Sequence, residues 1–277
     1  MGRMSTVRRL AMIALVATAC SVLPVNAQAL ALLYAKGDVF DYSLHMVLNQ
    51  DVTQATMNTV PLYGDLTAHE KVTVVSVDAN GAADVTVQLF DVVVKTDVKQ
   101  ASSPASPSRP AQDVRIAADG RILGLSGSST WPGDFPFGAA LGGNLFTAVL
   151  PHNAVKPGDT WSSDYDETLP FNFKPFHIAT RSKYLRDETF QGLNAAVIET
   201  TTSISADFML DSSHRTRGTA SSDVTTWIDP KHHRILKSHL SAKMDATLTY
   251  ENAFGTVNNL TTVLKATETA DLLPFKA

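Results

Sequence analysis

Lys156-Pro157-Gly158-Asp159-Thr160-Trp161 closes a tight turn and launches a strand. Tyr34-Ala35-Lys36-Gly37-Asp38-Val39-Phe40 does the same 121 residues earlier, counted from Gly37 to Gly158. Lys-Pro-Gly-Asp suits a type II turn, because proline presets φ at the second position and glycine accepts φ > 0 at the third. Each turn leads into an aromatic residue and an alternating run. The recurrence reads as two copies of one β-module.

Outward from the first turn, Phe40, Tyr42, Leu44, Met46 and Leu48 alternate with Asp41, Ser43, His45, Val47 and Asn49. A period of two with one apolar face is a half-buried strand. Residues 51–59 are polar and read as a weaker returning strand. Residues 71–77 and 83–95 flank Asp78-Ala79-Asn80-Gly81, where Asn-Gly predicts a type I′ hairpin turn. Asp119-Gly120 and Gln191-Gly192 mark further hairpins. Ile198 and Phe208 share the apolar face of one long run, and Leu240, Met244 and Leu248 that of another.

No segment holds a helical period beyond about three turns, so helices are minor. Residues 145–150 read as either a short helix or a buried strand. Fifteen-residue strands at ~3.3 Å per residue span ~50 Å, which requires twist and curvature. One-sided strands need a covering layer, and few helices are at hand to supply it. The fold class expected is all-β and mainly antiparallel. A long curved sheet would form a half-barrel or barrel from modules at 30–138 and 154–277. A connecting plug or short helix at 139–153 would join them into one domain.

Hydrophobic residues make up 44% of the 277, enough for a sizeable core. The charged fraction of 18% is low, against a usual ~25%. Nothing forms a basic patch for nucleic acid. Arg3, Arg8 and Arg9 precede the apolar run Ala11–Ala19, and Ala27-Gln28-Ala29 supplies small residues for cleavage. This order predicts a signal peptide at 1–29. Its apolar run is shorter than the ~20 residues of a membrane span, so the mature chain has no transmembrane helix. It would be more acidic than the net −4 of the whole, and periplasmic or secreted. Cys20 is the one cysteine, so cleavage leaves no disulfide and no thiol nucleophile. Ala17-Thr18-Ala19-Cys20 also loosely resembles a lipoprotein box, and the alternative address is a lipid anchor at Cys20.

Together these signals resemble a family. The export signal, the Gly-Asp-aromatic strand starts and the Asp119-Gly120-Arg121-Ile122 hairpin belong to the pattern. So does Leu150-Pro151 followed by Lys156-Pro157-Gly158-Asp159-Thr160-Trp161. The pattern resembles exported bacterial proteins with a duplicated β half-barrel, similar in architecture to periplasmic lipoprotein carriers and related lipid-binding lipoproteins. The resemblance spans residues 35–270. It implies a hydrophobic cavity open to lipid and brings no catalytic residues.

Candidate chemistry is sparse. His232, His233 and His239 invite a metal reading, but His233 and His239 would lie ~20 Å apart on a regular strand. Asp164 and Asp166 share a strand face about 7 Å apart; they suit either paired acid–base carboxylates or a charged sheet edge. Gly124-Leu125-Ser126-Gly127-Ser128 misses the nucleophile elbow by one position. Phosphate-loop, dinucleotide-loop, H-E-x-x-H and C-x-x-C motifs are absent. No catalytic residue, metal or cofactor is assigned.

The function expected is a non-enzymatic exported binding protein with an apolar concave face. Phe40, Tyr42, Leu44, Met46, Trp161, Ile198, Phe208, Leu240, Met244 and Leu248 would line it. Its ligand would be a hydrophobic small molecule or a lipid. The alternative is a structural or interaction module of the cell envelope, with a packed core and a protein partner. A hydrolase acting through Asp164, Asp166 or a histidine is the remote third. A cavity volume separates the first two: a void below a few hundred Å³ favours the packed module, since ligand pockets run ~300–1,000 Å³.

Overall fold

The computed structural model describes residues 27–54, 58–97, 106–108, 111–126, 148–167, 176–209, 214–251 and 257–273. The signal-peptide core, Cys20, Trp131 and plug residues 139–147 lie outside them. Every regular element described is a strand: β1 (Val39–Gln54), β2 (Val60–Val77), β3 (Ala83–Thr96), β4 (Ser106–Ser108), β5 (Gln112–Ile116), β6 (Ile122–Ser126), β7 (Thr160–Glu167), β8 (Phe176–Phe190), β9 (Leu193–Met209), β10 (His214–Asp229), β11 (Arg234–Glu251) and β12 (Val257–Leu272). They form one antiparallel sheet in the order β6-β5-β3-β2-β1-β12-β11-β10-β9-β8-β7, with β4 added beside β3.

That order is a meander running in chain sequence around a ring, closed where β12 pairs with β1 and unpaired between β6 and β7. The sheet curls far enough to bring those ends together. The guanidinium of Arg121, beside β6, lies 5.4 Å from the ring centre of Tyr165 on β7. Leu150 N–H donates to the Asp119 carbonyl at 2.8 Å, so extended residues 148–150 lie in the seam. These plug residues are buried and carry no helix.

The two sequence turns close with one set of bonds. Asp38 N–H donates to the Ala35 carbonyl and Asp159 N–H to the Lys156 carbonyl, each at 3.0 Å. Gly37 (φ 91°) and Gly158 (φ 98°) take the left-handed position that a type II turn requires. Gly37 N–H then donates to the Val74 carbonyl on β2, and Gly158 N–H to the Tyr184 carbonyl on β8. Each turn therefore docks on the next strand.

Two turn details differ from expectation. At Asp78–Ala82 only Gly81 has positive φ. Gly81 N–H donates to the Asp78 carbonyl, and Asp78 N–H to the Ala82 carbonyl. This is a three-residue loop, a type I turn completed by glycine, because Asp78 Oδ1 already caps Asn80 and Ala82 N–H. The two-residue type I′ geometry appears instead at Gln191 and Gly192, at φ 50° and 80°. Residues 51–54 also continue β1 rather than starting a return strand, since Asp51–Gln54 keep their pairing to β12.

Register fixes the inner face. On β1, Tyr42 stands between Glu70 and Leu272, Leu44 between Ala68 and Ala270, and Met46 between Leu66 and Glu268. Along β8–β12, Ile178, Ile198, Leu236, Leu240 and Leu264 are almost fully buried. Each contributes roughly 1.5–3 kcal/mol. Small residues let the strands approach there. Gly218 sits opposite Ala246, and a Cβ on it would meet the Asp245 carbonyl oxygen at 2.1 Å.

Candidate functional site

A cavity of about 220 Å³ opens inside the curved sheet against β1, β2, β3 and the β5–β6 hairpin. The N-terminal segment lies across it. Leu32 N–H donates to the Ala118 carbonyl and Leu33 N–H to the His233 carbonyl, which ties that segment to both sides of the ring. The walls are mainly apolar: Leu32, Phe40, Leu44, Val87 and Ile122 are typical. Tyr42 is anchored there by a 3.2 Å bond from its hydroxyl to the Ile235 carbonyl. Burial raises the Tyr34 and Tyr42 hydroxyls far above the usual tyrosine range.

Two carboxyls interrupt this apolar lining. Glu70 of β2 and Glu268 of β12 both face the cavity. Both are half-buried, and the surface they retain is offered to the cavity. Desolvation lifts Glu70 to about 7. Desolvation, and then repulsion from Glu70, lifts Glu268 to about 8. Arg234 is also in the wall. Its Nε lies 3.9 Å from Asp229 Oδ2 at the β10–β11 turn, and its charge lowers Tyr42 rather than either glutamate.

Of the sequence-predicted lining, Phe40, Tyr42 and Leu44 are walls of this cavity. Met46 packs beside it in a cluster with Leu44, Leu66, Ala68 and Val92. Ile198 belongs to a packed cluster with Leu30, Leu32 and Leu150, which Trp161 flanks. Trp161 Nε1 donates to the Val149 carbonyl at 2.7 Å, tying β7 to the plug. Leu240 and Met244 pack with Leu48, Val224 and Leu264 in another cluster. Leu248 is half-buried opposite Leu260 and Thr216; the Phe208 side chain lies outside the described residues. The inner face is therefore packed along β9, β10 and the middle of β11, and hollow where β1–β3 and the end of β12 face the start of β11.

Glu70 and Glu268 were missed by sequence reasoning. The signal was present. Glu70 falls in phase with Leu66, Ala68 and Val72, and Glu268 with Leu264, Ala266 and Ala270. A charge in the apolar register of a one-sided strand faces inward.

The other polar candidates are dispersed. His177 Nδ1 lies 3.2 Å from Asp166 and its Nε2 4.0 Å from Asp164, with all three exposed at the β7 edge. His232 Nδ1 meets Asp229 Oδ2 at 2.5 Å, and His239 meets Thr269 at 3.1 Å. Among the described residues, no group of three or more His, Cys, Asp or Glu is arranged to hold a metal.

No protein-family model matches the chain, and no curated protein matches it. Solved structures that are similar include lipovitellin, at 13% identity and TM-score 0.48, covering 87% of this chain and 25% of that one. This chain thus spans a quarter of that protein's length. An outer membrane channel from Pseudomonas putida F1 is similar at 7% identity and TM-score 0.33, covering 90% and 99%. A LolA superfamily protein from Nitrosomonas europaea follows at 11% identity and TM-score 0.16, covering 88% and 90%. With every TM-score below 0.5, none of these likenesses carries weight for function, which is read from the cavity itself.

Proposed function

We propose that this is a non-enzymatic binding protein, exported from the cell, that holds a slender apolar molecule such as an acyl chain in the β1–β3 cavity. The carrying observation is the cavity: about 220 Å³, walled by apolar side chains and roofed by the N-terminal segment. Its volume falls below the ~300–1,000 Å³ of ligand pockets, and volume alone favours the packed module; the support for a slender chain is the apolar lining under the N-terminal segment. Removing such a chain from water is favourable at roughly 0.8 kcal/mol per CH₂. The packed wall along β9–β11 then serves as the rigid back of the site. Two modules, at 30–138 and 154–277, each open with the same Gly-Asp turn and supply these two walls.

Uptake of a fluorescent fatty alcohol or fatty acid tests the reading. Binding by the wild-type protein is expected, and Ala270→Phe, which fills the cavity from β12, is expected to abolish it while the protein stays folded. No uptake by wild type and no lipid in an organic extract would favour a packed envelope module instead. N-terminal sequencing of the mature protein, expected to begin at Leu30, tests export.

A further inference from the structure

We propose that the occupant of the cavity carries a cationic head, and that Glu70 and Glu268 receive it: the ligand class is a long-chain amine or other single-chain ammonium amphiphile. This rests on the apolar-cavity reading above and names the ligand's polar end.

The geometry points this way in four steps. Glu70 and Glu268 come from strands on either side of β1 and converge on one cavity. No hydrogen bond or ion pair to either carboxyl is found among the described residues, whereas Asp84, Glu188, Asp207 and Asp229 each hold a basic side chain. The cation in the wall, Arg234, has its Nε 3.9 Å from Asp229 and forms no ion pair with either glutamate among the described residues. Tyr34 and Tyr42, the remaining titratable groups facing the cavity, are neutral at physiological pH.

Two desolvated carboxyls that repel each other and have no counter-ion are costly to ionise. An ammonium at the carboxyl end of the cavity offsets that cost, while its chain lies on the Leu44–Val87–Ile122 surface. A metal ion would need several further ligands, and among the described residues no third His, Cys, Asp or Glu joins the two glutamates. A fatty acid would bring a third carboxyl into the same low-dielectric space.

The experiment compares a straight-chain alkyl amine, alcohol and carboxylic acid of equal length, by calorimetry on the full mature protein near pH 7. The amine is expected to bind about tenfold or more tighter than the alcohol, equivalent to ~1.4 kcal/mol, with the acid weakest. Amine binding should release protons, seen as a dependence of the heat on the buffer's ionisation enthalpy. Glu70→Gln and Glu268→Gln should bring the amine's affinity down to that of the alcohol measured in the same variant. Equal or tighter binding of the alcohol or acid, an amine affinity unmoved in both variants, or no proton release would each overturn the proposal while leaving the apolar cavity standing. Failure of all three probes to bind would overturn the cavity reading and this one with it.

Discussion

Glu70 and Glu268 stand on the two strands that flank β1, opposite Tyr42 and Met46, and their carboxyls look into the same apolar cavity. Burial in that setting raises both, Glu70 to about 7 and Glu268 to about 8, and Glu268 feels the charge of Glu70 as well.

The first prediction concerns pH. Both folded-state pKa values, about 7 and about 8, lie above the ordinary 4.5. The native state therefore binds more protons than the unfolded chain between pH 4.5 and 8, and stability falls as pH rises through that window. The favourable contribution is complete below pH 4.5 and lost above the folded values. At ~1.4 kcal/mol per unit, shifts from 4.5 to about 7 and about 8 correspond to roughly 3–5 kcal/mol per group. Thermal melts across that window should show a declining Tm that flattens in the Glu70→Gln/Glu268→Gln double variant. A flat wild-type profile would contradict it.

Acid should destabilise the protein by a separate route. Asp229 is held below the ordinary carboxylate range, against the opposing effect of its burial, by His232 and the N–H groups of Lys231 and His232. Its contribution is present above the ordinary aspartate value and is lost as pH falls through the depressed one. Asp229→Asn should weaken the fold at neutral pH and remove part of the acid-limb loss, measured by urea midpoint at several pH values. An unchanged acid limb would count against this role.

Gly218→Ala should be strongly destabilising, by about 1–3 kcal/mol or more. Its Cβ would meet the Asp245 carbonyl oxygen at 2.1 Å and the Ala246 Cα at 2.6 Å, both backbone atoms that cannot step aside. Gly124→Ala is the control, since nothing lies within 4 Å of a Cβ there. Equal denaturant midpoints for the two variants would refute the close approach of β10 and β11.

Thr202→Val should stabilise. Thr202 is fully buried on the inner face, and its hydroxyl has no hydrogen-bond partner among the described residues. Burying such a group costs ~1–3 kcal/mol, and the isosteric methyl relieves it. A gain near 1 kcal/mol in chemical unfolding is expected; a loss would reveal a bound water or partner.

The paired turns should respond alike. Asp38 Oδ2 accepts the Ala35 N–H at 2.8 Å, and Asp159 Oδ2 accepts the Lys156 N–H at 2.9 Å. Asp38→Ala and Asp159→Ala should each cost about 0.5–1.5 kcal/mol. A large effect in one and none in the other would mean that the turns are not equivalent supports.

Much of the fold was legible because strand patterning is local. The alternation Phe40–Leu48 and the Gly-Asp turns identified strands, face and curvature without any long-range information. Turn type was less legible: Asn80-Gly81 has the composition of a two-residue hairpin, yet the Asp78 carboxylate captures the loop and selects a longer one. The site was half legible. Phe40, Tyr42 and Leu44 line the hollow, but Ile198, Leu240 and Met244 carry the same alternation and end in packed clusters. Period two reports which side a residue faces. It does not report whether the opposite wall reaches it, which depends on how Leu30, Leu32 and the 148–150 segment fill the interior.

The gap between β6 and β7 makes the molecule a split ring. Anywhere else, widening the circumference means shearing a ladder of main-chain bonds; at that hem the described ties are Arg121 on Tyr165, the short 148–150 strip and the N-terminal segment bonded at Ala118 and His233. A guest thicker than the standing aperture thus has a clasp to undo rather than a wall to breach.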